Sequence, residues 1–362
     1  MLGLLLVGAG AVVEELYCPP LRRLEKAGVI RVAGVVDPDT FRAKRISDRF
    51  KNATAFSALS DAFSKNLYDL AVVASPPGLH CEHACFVLDQ GCNVLCEKPM
   101  ATSAIEAAMM NAAAEKSGLL LGVAFSRRFY GNFADVADLV KQGKLGDELS
   151  FVYREGDTYL WPIVTGAAFR RDQSKGGALL DKGVHMLDQL AWIFGDAQLM
   201  GAYDDSLMDG VETNAMLDLA FPNASGRMQV SWEFSLNNEL RIWGSRGEVS
   251  LSGADIRSYK TRVDAQWANV PVSTTWPADM VQKGGRRKVP SNPYESFYLQ
   301  LIAMMRCIVY GEPFPVTGIG ASRIQAILDS AYSIVEPMNP TWLSVDEQKA
   351  ALALHWKATQ SR

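Results

Sequence analysis

Lys98 stands between Glu97 and Pro99, two residues beyond the apolar run Asn93–Cys96. That run reads as a parallel strand, and a lysine at its C-terminal edge lies where ligands of such sheets bind. Its ammonium can donate a hydrogen bond to an alcohol or ketone oxygen and stabilise negative charge that develops as hydride moves. Asp181 and His185 are four residues apart in a helical segment, so one turn sets both side chains on the same face. An imidazole so placed can exchange a hydroxyl proton, worth about 10²–10⁴-fold in rate, while the carboxylate orients a substrate hydroxyl or the imidazole itself. The chain has only four histidines, which narrows the choice of imidazole. His80 opens a helix after the loop Ser75-Pro76-Pro77; His83 points elsewhere on that helix as a packing or surface residue, and His355 lies in a polar tail.

A second group of residues has the chemistry of a dinucleotide site. Val7-Gly8-Ala9-Gly10-Ala11-Val12-Val13 ends the first apolar run and opens a helix. Gly8 suits a tight turn, and Gly10 lets the backbone approach a pyrophosphate at the helix N-terminus. Val13 takes the position where the fingerprint has Gly or Ala, which should hold helix and strand further apart. Glu14 and Glu15 suit the helix dipole but must point away from bound phosphate. Asp37 ends the second apolar run, where a carboxylate accepts both hydroxyls of an adenosine ribose and repels a 2′-phosphate. No arginine follows it directly, although Arg42 and Lys44 are nearby on the next helix, so NAD is favoured over NADP.

These residues need elements to position them. The first 124 residues alternate apolar runs with helical patterns, which argues a doubly wound parallel sheet. Strands are expected at Gly3–Val7, Arg31–Val36, Leu70–Ala74, Asn93–Cys96 and Leu119–Ala124, with helices at about 39–50, 57–65, 79–90 and 103–117. The first helix is irregular, because Pro19 and Pro20 interrupt it and restart it. Beyond residue 125 the pattern changes to α+β. A helix near 129–142, a strand near 148–156 and a helix at 183–194 precede strands of period-two alternation. The clearest is Arg227–Phe234; Leu240–Trp243 and Glu248–Leu251 flank a hairpin connection. A surface loop at 271–293 and helices near 293–310 and 318–335 close the chain. The expected domains are therefore a Rossmann domain at 1–124 and an α+β domain with a mostly antiparallel sheet at 125–362.

Composition excludes other classes. A hydrophobic share of 48% and a near-balance of 36 Lys+Arg against 40 Asp+Glu argue against a disordered chain, and against electrostatic attraction to nucleic acid or an anionic membrane. No run of eighteen apolar residues provides a membrane span, and apolar Met1–Val13 lacks the leading Lys or Arg of a signal peptide. Cys81/Cys85 and Cys92/Cys96 have four-residue spacing rather than C-x-x-C, and read as buried thiols in a reducing cytosol, with no metal. A cytoplasmic enzyme is expected.

Three segments carry a family resemblance: Ala74-Ser75-Pro76-Pro77-Gly78-Leu79-His80, Gly91 through Glu97-Lys98-Pro99, and Gly176-Gly177 through Asp181, His185 and Asp188. Together with Pro313–Thr317 they resemble the glucose–fructose oxidoreductase/inositol dehydrogenase (Gfo/Idh/MocA) family. The resemblance implies that Lys98, Asp181 and His185 are the catalytic lysine, aspartate and histidine, with Asp188 as support. It also implies that Gly8, Gly10, Ala11, Val12, Asp37, Ser75, Pro76, Glu97 and Lys98 border the cofactor. His80 is open to a structural or a cofactor-side role. Arg127-Arg128-Phe129 and Phe169-Arg170 resemble family segments, placing Arg128 and Arg170 near the substrate. Tyr153, Tyr159 and Trp161 are open to two readings, a stacking wall for a sugar ring or core packing.

The implied activity is NAD-dependent interconversion of a secondary alcohol and a ketone on a sugar, sugar derivative or cyclitol. One alternative is a nucleotide-sugar ketoreductase, with the run Lys283-Gly-Gly-Arg286-Arg287-Lys288 on a diphosphate; another is a non-catalytic dinucleotide sensor. A homodimer or homotetramer is expected, with Met228, Val230, Trp232 and Phe234 burying a sheet face against a partner.

Overall fold

The computed structural model describes residues 1–337 apart from 163–168, 207–209, 254, 264–265, 278–286, 289–291 and 293, and from the tail 344, 346–347, 349–350 and 353. His355 and the stretch 283–286 of the basic run lie outside the described residues. The chain forms two compact units, Met1–Phe129 with Thr275–Ser322, and Tyr130–Thr274 with Arg323–Arg362.

In the first unit, β1 (Leu2–Val7), β2 (Ile30–Val36), β3 (Thr54–Phe56), β4 (Leu70–Val73), β5 (Asn93–Cys96) and β6 (Leu121–Val123) make one sheet in the order β3-β2-β1-β4-β5-β6. Every pairing is parallel. Apolar runs such as Leu70–Val73 are buried throughout, as strands covered on both faces must be. The strand order reverses between β1 and β4, and at such a switch point the carboxyl ends of the strands open a crevice. The ladder runs one residue past the strands there. Gly8 N donates to Val36 O, Ala74 N to Val7 O and Glu97 N to Val73 O, each at 2.8 Å. Gly8, Asp37, Ala74 and Glu97 thus leave the sheet at the same edge.

Helices α1 (Cys18–Lys26), α2 (Thr40–Ser47), α3 (Leu59–Lys65), α4 (His80–Asp89) and α5 (Ala104–Ser117) connect the strands. A wide π-helical turn, Val13–Tyr17, runs into α1, whose first turn holds Pro19 and Pro20. The proline rings leave no room for the carbonyls one α-turn back and bring no N–H to them, so the turn ahead of them widens. Thr54–Phe56 escapes a search for long apolar runs because only three residues pair. The helix Tyr294–Tyr310 also belongs to this unit: Leu301, Ile302, Met304 and Met305 enter the core formed by Leu4, Leu6, Val13, Tyr17, Leu21 and Leu24. The compact unit therefore takes in residues far beyond 124. Within 271–293, expected as a loop, Trp276–Pro277 pairs with Arg287–Lys288.

In the second unit, α6 (Gly131–Lys141) precedes β7 (Leu149–Gly156), the single turn α7 (Arg171–Ser174) and α8 (Val184–Phe194). Then come β8 (Gln198–Asp204), β9 (Asn214–Phe221), β10 (Ala224–Ser231), β11 (Glu239–Trp243), β12 (Glu248–Ser252), β13 (Ser258–Val263) and β14 (Gln266–Pro271). They form a sheet in the order β14-β13-β12-β11-β7-β10-β9-β8, edged by Glu336–Pro337. Pairing is antiparallel except between β7 and β10 and at that last edge.

The face expected to meet a partner is this unit's own core. Met228 and Val230 are fully buried and Trp232 nearly so, with the Met228 methyl beside Gly183. β10 ends at Ser231, so the alternation stops there and Phe234 is 59% exposed. The same helical segment that carries Asp181 and His185 covers those side chains. Among the described residues no helix is long and apolar enough to cross a membrane, and no cluster of His, Cys, Asp or Glu could hold a metal ion. All six cysteines are unbridged; burial pushes the Cys18 thiol up to about 11 and those of Cys81 and Cys92 to about 12, which leaves them poor nucleophiles.

Candidate active site

Gly8 takes φ +102°, and a Cβ there would lie 2.5 Å from Ala74 O, so only glycine fits between β1 and β4. Gly10 meets the opposite condition. A Cβ built on it has nothing within 4 Å, so it faces open space at the start of a helix, room that an approaching pyrophosphate can use. Val13 is fully buried and begins the wide turn, which accommodates a side chain larger than the fingerprint's Gly or Ala. Glu14 is engaged by Arg45 at 2.7 Å and by Arg49, which turns its charge toward α2.

Asp37 is 6% exposed and serves as a local hub. It accepts from Ala9 N at 2.9 Å, from Asp39 N at 2.9 Å and from an Arg42 guanidinium nitrogen at 2.8 Å. The preference for NAD rests on this carboxylate repelling a 2′-phosphate, with Arg42 only nearby on the next helix. Arg42 sits on it, so its repulsion of a 2′-phosphate is offset. Adenosine ribose and pyrophosphate therefore find a fitting set of groups: an open Gly10, a helix N-terminus and a strand-end carboxylate.

The lysine end is supported from two sides. Glu97 is buried; it accepts from Tyr17 OH at 2.6 Å and from Lys98 N at 3.1 Å, and Gln300 donates in turn to Tyr17 at 3.3 Å. Burial, then the Glu97 charge, holds the Tyr17 phenol well above its usual range, so it stays a donor. Beyond Lys98, Pro99 O lies 2.8 Å from His80 Nδ1, and Ser75 O lies 2.7 Å from His80 Nε2. His80 is 1% exposed, so its imidazole ties the Ser75 loop to the Lys98 loop from inside. His83, expected to point elsewhere, has Nδ1 2.9 Å from Ser75 Oγ. One helix turn thus grips Ser75 by both its carbonyl and its hydroxyl.

In the second unit, Asp181 lies within the π-helical turn Leu179–Gly183, and His185 in the first turn of α8. Trp232 donates its indole N–H to Asp181 Oδ2 at 3.2 Å, and its ring packs edge-on against Tyr159 and Phe169. The start of this segment is clamped by Glu212. Its Oε1 accepts from Gly177 N at 2.8 Å, Leu179 N at 3.1 Å and Tyr332 OH at 2.8 Å, while its carbonyl accepts from Ala178 N at 3.0 Å. A Cβ on Gly177 would strike that carbonyl at 2.0 Å. Burial, reinforced by Asp204, pushes the Glu212 carboxyl up to about 7.

The remaining candidates divide. Arg128 is half-buried in a helical turn at Ser126–Phe129. Trp161 and Arg170 are exposed, with Arg170 bridged through its backbone to Gly210. Tyr153 is 4% exposed and donates its hydroxyl to Gln189 at 2.7 Å, which is the core reading rather than the stacking wall. Tyr159 packs edge-on against Trp232. Sequence reasoning missed Tyr17, Glu212 and the Trp232 contact, because each partner lies far away along the chain.

Two family models match. Residues 2–125 match the oxidoreductase family NAD-binding Rossmann fold, and residues 133–250 match the GFO/IDH/MocA C-terminal domain. The chain belongs to the Gfo/Idh/MocA oxidoreductase family. Within this family it is 24% identical over 310 residues to the NADP⁺-dependent scyllo-inositol 2-dehydrogenase IolW of Bacillus subtilis, covering 81% of this chain and 84% of that one. Two solved structures share the fold. KijD10, a 3-ketoreductase from Actinomadura kijaniata solved with NADP and TDP-benzene, has TM-score 0.78 at 19% identity, over 94% of this chain and 99% of its own. The WlbA dehydrogenase from Bordetella pertussis, solved with NADH and UDP-GlcNAcA, has TM-score 0.75 at 21% identity, over 91% and 94%.

Proposed function

We propose that this Gfo/Idh/MocA oxidoreductase interconverts a secondary alcohol and a ketone on a sugar, sugar derivative or cyclitol, using NAD(P). The observation that carries the reading is Lys98 past the carboxyl edge of β5, in the same sheet as the glycine turn after β1, with its backbone held by Glu97 and its neighbour Pro99 held by His80. A lysine supported on both flanks can present its ammonium to one fixed substrate oxygen. The bound dinucleotide supplies hydride transfer. Lys98 holds the reacting oxygen by a hydrogen bond; in the oxidising direction His185 accepts the hydroxyl proton, and Asp181, itself held by Trp232, orients the hydroxyl or the imidazole. Arg128 and Arg170 are proposed on the substrate, and Ser75 and Pro76 on the cofactor. His80 serves there through the loops it ties.

IolW's activity on an inositol supports the cyclitol arm of this reading. The nucleotide-linked ligands of KijD10 and WlbA support a second one, reduction or oxidation of a nucleotide sugar. A screen of sugars, cyclitols and nucleotide sugars, followed by NAD(P)H absorbance in both directions, separates them. Lys98→Ala should abolish turnover on the active substrate and leave dinucleotide binding nearly intact; normal turnover in that variant would remove Lys98 from the mechanism. Light scattering tests the homo-oligomer.

A further inference from the structure

The carboxylate at the end of β2 and the first turn of α2 form a three-charge group. Arg42 bonds to Asp37 at 2.8 Å and lies 3.2 Å from Asp39 Oδ2, bridging the two carboxylates. Asp39 is occupied as the helix cap, accepting from Phe41 N at 3.0 Å and Arg42 N at 3.1 Å. Asp37 is fixed independently of Arg42 by Ala9 N and Asp39 N. Removing the arginine from it would therefore leave the carboxylate with two backbone donors. The Arg42 side chain is 26% exposed, and among the described residues its Nε has no hydrogen-bond partner. A guanidinium has five N–H groups in a planar fork, so donors remain beyond the two nitrogens directed at carboxylates.

We propose that Arg42 sets selectivity at the ribose 2′-position and that this end of the site accepts both a 2′-hydroxyl and a 2′-phosphate. With a free hydroxyl, Asp37 is the acceptor and Arg42 stays on it. With a phosphate, the fork turns from Asp37 to the phosphate oxygens, a geometry that suits it, while Ala9 N and Asp39 N keep Asp37 in place. An isolated strand-end carboxylate would repel the phosphate. Here the cation that answers that repulsion is already within bonding distance.

The inference rests on reading the β1 turn as the dinucleotide site, and the experiment separates the two. Calorimetric titration of the full chain with NAD⁺ and with NADP⁺ gives the two dissociation constants without any substrate or turnover. The wild type should bind both within about tenfold. Arg42→Ala should shift the ratio of the constants toward NAD⁺ by about tenfold to hundredfold, the usual weight of a hydrogen bond to a charged group. Asp37→Asn should shift the ratio the other way, and Arg42→Lys, which keeps the charge without the fork, should fall between wild type and Arg42→Ala. A wild type that rejects one dinucleotide by more than about tenfold, or an Arg42→Ala ratio equal to that of the wild type, overturns the role of Arg42. Binding of neither dinucleotide overturns the site itself.

Discussion

An imidazole between two carbonyl oxygens is limited by its own proton count. Neutral His80 carries a single N–H, so only one of Ser75 O and Pro99 O receives its hydrogen bond at a time. Burial pulls its pKa below the ordinary 6.5 despite the two carbonyls that favour the proton, and His83 and Lys98 act in the same direction as burial. The unfolded chain therefore binds that proton more readily than the native one. Stability from this group is complete above the ordinary value and falls as pH drops through the lowered one. The His80 contribution to the thermal midpoint should accordingly decline from about pH 7 to about pH 5, so the midpoint of His80→Gln, which does not titrate there, should lose less than the wild type's as pH falls over that range. An unchanged slope in His80→Gln would assign it to another group. This bridge was not legible in the chain, where His80 shows only that it starts a helix after a proline loop. Gly8, Asp37 and Lys98 were legible, because each lies within two residues of the end of an apolar run and the end of a strand is itself a location. Tyr17, His83, Glu212 and Trp232 act through partners that no local pattern announces.

Elements divide along the same line. Runs such as Leu70–Val73 announce themselves by continuous apolar residues, whereas β13 carries Lys260 and Arg262 and β14 mixes Gln266 and Asn269 with scattered apolar residues, neither of which forms an apolar run. The two π-helical turns leave no compositional mark beyond the prolines after the first, since they differ from α-helix only in hydrogen-bond register. The second turn bears Asp181 and starts from the Glu212 clamp, which makes that clamp the element's own titratable support. Glu212 has a native pKa of about 7 against an ordinary 4.5, so the native state holds its proton more firmly than the unfolded chain does. Its contribution is complete below the ordinary value and lost as pH rises through about 7. Glu212→Gln keeps an acceptor oxygen for Gly177, Leu179 and Tyr332 but has no charge to bury. Its thermal midpoint should therefore drop less than the wild type's from about pH 5 to about pH 7. Glu212→Ala removes the acceptor and should be the less stable variant at every pH.

At the scale of the molecule, the compact units do not follow a single cut in the chain. Beside the division expected at 1–124 and 125–362, the first compact unit also includes Thr275–Ser322. Leu301, Ile302, Met304 and Met305 are fully or almost fully buried in its core. Loss of a single large core side chain costs about 2–5 kcal/mol, against a total of about 5–15 for a whole domain. A fragment ending at residue 124 should therefore show no cooperative thermal transition and no dinucleotide binding, while a fusion of 1–129 to 275–322 through a flexible linker should recover both. A sharp transition in the short fragment would show that the late helix is dispensable.

The same discontinuity sets an order of events during synthesis. The six strands of the first sheet are translated before β7–β14, but the helix that packs on them is translated only after β14. All of β7–β14 emerges in the interval. The nucleotide-binding half of this oxidoreductase must wait, incompletely closed, while the other half is being made.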